Sequence, residues 1–79
     1  DAPVANPNPL WGVHAAVTRQ NREGAPEGGW YPQERLSVAA AVEAYTLGPA
    51  IAIGQAHQQG RLAPGYLADF VVLDRYIFI

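Results

Sequence analysis

Apolar positions repeat with helical spacing twice along this chain. Leu10, Val13, His14 and Val17 fall at i, i+3, i+4 and i+7, which predicts a helix from about Pro9 to Gln20. Asn8 can cap its first turn, and Pro9 suits the first helical position, where no N–H is needed. Gly12 weakens the helix modestly. Val38, Ala41, Val42 and Tyr45 repeat the spacing in the alanine-rich stretch SVAAAVEAYT, with Ser37 as cap and Gly48–Pro49 as stop. A second short helix is expected in AIAIGQAHQQG, closing before Gly60. Residues 49–54 are apolar nearly all round, which predicts burial on more than one side.

The pattern changes after Gly60. Pro64 and Gly65 occupy the central positions of an expected type II turn, where proline fixes φ and glycine supplies a positive φ. Phe70–Leu73, bounded by Asp69 and Asp74, is apolar without alternation and reads as a strand covered on both faces. Its one candidate partner within the chain is a short piece around Arg61 and Leu62. A strand without a ladder partner leaves its backbone polar groups unsatisfied if it is buried. Between the two helical regions, Asn21–Pro32 is rich in Gly, Pro and charge and reads as a long loop. Trp30 and Tyr31 at its end admit two readings: aromatics that pin the loop to a core, or part of a substrate mouth.

Length and composition narrow the classes. The 79 residues allow one small domain. There is no cysteine, so neither a disulfide framework nor a thiolate metal site can form. His14 and His57 make no metal-ligand spacing. The formal net charge is −2 and the five basic residues, all arginines, are scattered. That pattern speaks against a nucleic-acid partner and against a polybasic membrane patch. No apolar run approaches a membrane span and no export signal is visible, so no membrane partner is expected and a cytoplasmic location is favoured. No phosphate loop, nucleophile elbow or dinucleotide fingerprint occurs. No methionine occurs, the chain begins on Asp1, and YIFI ends it on apolar residues. The expectation from the residues alone is a fragment of a larger α/β protein, in which Asp1 would be a solvated terminal residue.

A family resemblance adds to this. Gly60-x-Leu62-x-x-Gly65-x-Leu67-Ala68-Asp69, followed by Phe70-Val71-Val72-Leu73-Asp74, resembles the C-terminal signature of the metal-dependent amidohydrolases. The preceding AVEAYTLGPAIAIG resembles the helix pair that comes before that signature. PEGGWYPQERLS and DAPVANPNPLWGVHAAVTR resemble the branch called amidohydrolase family 3. The resemblance covers essentially the whole chain, with the four stretches in order.

It implies an α/β fold: the end of a (β/α)8 TIM barrel plus part of a small accompanying β-sandwich. Residues 1–58 would supply the last strand end and C-terminal helices of the barrel, and residues 59–79 a strand segment of the sandwich. Asp1 matches the aspartate at the end of the eighth strand, which makes it the candidate catalytic residue and the candidate metal ligand. Barrel enzymes hold such groups at the strand C-termini. Its carboxylate would bind a divalent metal, with zinc the expected ion, accept a proton from the attacking water and pass it to the leaving nitrogen. The family's other ligands, a His-x-His pair, a bridging lysine or acidic residue and two later histidines, would lie upstream; His14 and His57 do not match them. The implied function is hydrolysis of non-peptide, amide-type C–N bonds in a small-molecule substrate. The remainder of the same polypeptide would be the chain's partner, and homo-oligomerisation stays open. The alternative is a non-catalytic structural or interaction fragment.

Overall fold

The computed structural model describes residues 2–78. The chain divides into two compact units, one up to Ala41 and one from Val42. Among the described residues the regular elements are α1 (Pro9–Thr18), a single 3-10 turn at Pro32–Glu34, α2 (Val38–Tyr45) and α3 (Leu47–Ala52). No strand forms among them. None of the helices is long and apolar enough to cross a membrane.

Helix α1 starts as its sequence dictates. Asn8 is extended (ψ 113°), and its side-chain oxygen accepts from the Leu10 N–H at 3.0 Å. Pro9 follows as the first helical residue. The helix ends at Thr18, two residues earlier than the periodicity suggests, because Arg19 turns left-handed (φ 58°) and donates its N–H to Ala15 at 2.8 Å. The last carbonyls of a helix lack partners within it. Here the Ala16 carbonyl accepts from the Leu36 N–H at 2.9 Å, so the chain beyond the loop returns to the end of α1.

Ser37 caps α2 as expected: its hydroxyl oxygen accepts from the Ala40 N–H at 3.0 Å. The break after α2 corrects the sequence reading. It falls at Thr46 (φ −123°, ψ −85°), and Gly48 and Pro49 lie inside the first turn of α3. Pro49 is tolerated there because first-turn N–H groups have no intrahelical acceptor to lose. Helix α3 then stops at Ala52 instead of running towards Gly60. Gly54 (φ 74°) and a 2.7 Å bond from the Gln55 N–H to the Ala50 carbonyl turn the chain away.

The rest of the second unit folds back through close contacts. Gly60 has φ 100°, and a Cβ built there would lie 3.0 Å from both the Leu47 Cα and the Ala50 Cβ. The Tyr66 hydroxyl donates to the Ala56 carbonyl at 2.9 Å, and the Leu67 N–H donates to Gln58 at 2.9 Å. The turn at Ala63–Tyr66 forms as predicted, closed by the Tyr66 N–H on the Ala63 carbonyl at 3.0 Å with Gly65 at φ 86°.

Two expectations about burial are overturned. Among the described residues the buried apolar side chains are Ala41 (1% exposed) and Ala50 (4%). Ile51 and Ile53 are exposed, so residues 49–54 are not covered on several sides. Phe70–Leu73, read as a strand, is irregular, and Phe70, Val71 and Val72 are exposed. The physical reason is the missing ladder. The Arg61–Leu62 piece does not pair with the run, and an unpaired strand has nothing to hold its backbone extended. The described residues are thus helical, and the barrel and sandwich implied by the resemblance are not displayed within them.

Candidate functional site

The residue to which the resemblance assigns both catalysis and metal binding, Asp1, lies outside the described residues. The described residues are what can be built from the sequence upward. Two features stand out: a closed loop in the first unit and an open groove in the second.

The loop runs from Arg19 to Trp30 and its two ends are tied. The Trp30 N–H donates to the Arg19 carbonyl at 2.8 Å, and Arg19 Nε donates to the Trp30 carbonyl at 2.9 Å. The Arg19 guanidinium also sits 4.9 Å from the centre of the Trp30 ring, a cation–π geometry. Inside the loop, the Asn21 side-chain oxygen accepts from the N–H groups of Glu23 and Ala25, both at 3.0 Å. Gln20 Nε2 donates to the Pro26 carbonyl at 3.0 Å. Gly29 (φ 93°) sits so close to α1 that a Cβ there would lie 2.7 Å from the Thr18 carbonyl oxygen. These bonds make the segment a compact loop packed by its own groups.

Trp30 and Tyr31 make an edge-to-face pair with ring centres 4.7 Å apart. Both remain exposed, Trp30 to 59%, so they do not pin the loop into a core. Tyr31 has φ 47°, a left-handed conformation that a bulky residue seldom adopts. On the other side of the loop, the Arg22 guanidinium lies 3.9 Å from the centre of the Trp11 ring. Sequence reasoning singled out Trp30 and Tyr31 but missed Arg19, Arg22 and Trp11. Their pairings cross a loop and follow no helical or strand period, so no spacing signal points to them.

The groove in the second unit has a volume of about 510 Å³ and is lined by Tyr45, Thr46, Arg61, Asp69, Phe70 and Phe78 among others. Among the described residues Asp69 is the one carboxylate on its wall, and no acid–base couple is assembled there.

A divalent metal needs a converging donor set, and catalytic zinc usually takes three protein ligands plus water. Among the described residues no group of three or more His, Cys, Asp or Glu side chains could hold an ion. His14 is on α1 in the first unit and His57 is an exposed residue of the second, and the fold brings neither to a carboxylate cluster. The described residues therefore do not fit a metal by themselves, and no reaction step follows from them through one.

Comparison with known proteins supplies what this geometry does not. A protein-family model described as "Amidohydrolase family" matches residues 1–78. The chain is 42% identical to Protein LONG AFTER FAR-RED 3 of Arabidopsis thaliana over 94% of its own length and 12% of that protein's. It is 37% identical to a Bacillus subtilis (strain 168) protein provisionally named amidohydrolase YtcJ, over 94% of this chain and 14% of that one. It is 33% identical to N-substituted formamide deformylase of Arthrobacter pascens, over 95% of this chain and 13% of that enzyme. The chain thus spans about an eighth of the length of these relatives. No solved structure matches it. With the match extending over nearly every residue, the chain belongs to the amidohydrolase family.

Proposed function

We propose that this chain serves as one segment of a longer hydrolase that cleaves non-peptide, amide-type C–N bonds in small molecules. The observation that carries the reading is the family match over residues 1–78, which includes the Asp1 position. The likeness to an N-substituted formamide deformylase supports amides of that type as substrates. In such a reaction water adds to the carbonyl carbon, the C–N bond breaks, and the products are a carboxylic acid and an amine. A proton must leave the water and one must reach the departing nitrogen.

Asp1 is assigned that proton transfer. Its carboxylate takes the proton from the attacking water and delivers it to nitrogen. Asp1 is also assigned as one ligand of a divalent metal, zinc by the resemblance, whose role is to make the water nucleophilic. The further ligands would come from polypeptide outside these 79 residues, since the described residues supply no donor set. Residues 1–58 would close a (β/α)8 barrel and residues 59–79 would add a strand to a small β-sandwich. That placement accounts for the apolar run at Phe70–Leu73 that finds no ladder partner here.

The test is hydrolysis of a panel of N-substituted formamides and N-acyl amides by the full-length protein. The expected result is acid and amine release that a chelator abolishes and added zinc restores. Asp1→Asn in that protein is expected to lower turnover by about 10²–10⁴, the usual contribution of a general acid–base group, while leaving the fold intact. Near-normal turnover in the variant would remove Asp1 from the mechanism without removing the hydrolase assignment.

A second reading, a non-catalytic structural or interaction role, rests on one observation: among the described residues no group of three or more His, Cys, Asp or Glu side chains could hold a metal ion. Absence of turnover on every amide in the panel, with zinc present and the protein folded, would favour that reading.

A further inference from the structure

We draw no further inference here: the strongest candidate, the exposed Trp30–Tyr31 pair with the Arg19 guanidinium at the base of the loop in the first unit, is an unpartnered surface patch, and nothing in the structure shows what covers it.

Discussion

Two stretches of this chain invert what their compositions suggest. The polar Arg19–Trp30 segment, full of glycine, proline and charge, is held by hydrogen bonds at both ends and within. The apolar stretch from Ala68 to Phe78, rich in the residues that favour strands, makes no backbone hydrogen bond among the described residues. Its charge pair, Asp74 with Arg75 at 3.2 Å, joins neighbours in the sequence and is exposed on both sides. Such a pair adds little to stability. The difference is one of range. A loop whose partners lie within a dozen positions can organise itself from Asx bonds, positive-φ glycines and one arginine. A strand must wait for another strand, and hydrophobic composition cannot substitute for the ladder.

The largest expected effect concerns the whole chain. With two alanines as the buried apolar side chains among the described residues, the isolated 79-residue chain has too little core to offset the entropy of ordering it. Calorimetry on it should show no sharp cooperative transition. A single steep melt would break the comparison, because it would mean that the apolar run has found a partner within these residues.

Gly29→Ala, made in the full-length protein, comes next. The left-handed backbone costs an alanine about 1–2 kcal/mol, and the contact with the Thr18 carbonyl adds about 1–3 kcal/mol of overpacking. Denaturant unfolding should register a loss in that range. A neutral result would show that the loop is not held against α1. Arg19→Ala should cost less, about 1–2 kcal/mol, through loss of the bond to the Trp30 carbonyl and the ring contact. Faster hydrogen exchange at the Trp30 amide would be its signature, with exchange in the 63–66 turn unchanged. The smallest effect is expected for Val72→Lys in the isolated chain. Val72 is 86% exposed and its backbone makes no bond among the described residues, so helix content measured by circular dichroism should stay the same. In the full-length protein the same change should destabilise measurably if the run is covered on both faces, which would sharpen the contrast between a stretch that organises itself and one that is organised by others.

What could be read in the sequence follows the same division of range. The Asn8 cap, the Ser37 cap and the Ala63–Tyr66 turn are set by residues within three positions of one another, and each forms as expected. The break at Thr46 was not readable, because Gly48–Pro49 looks like a stop and is equally acceptable as a start. The bonding of Arg19 to Trp30 was hidden because it joins residues across a loop with no period. For the candidate site the limit is sharper still. Asp1 could be singled out by its match to a family motif alone, since the groups that would give it a chemical role are not encoded nearby.

The crossing at Gly60 carries one more consequence. Where the returning chain passes over α3, a Cβ would crowd both Leu47 and Ala50, and the backbone is bent to the side that L-amino acids avoid. Any L side chain introduced at position 60 would meet a strained backbone and a contact that Leu47 and Ala50 must shift to admit.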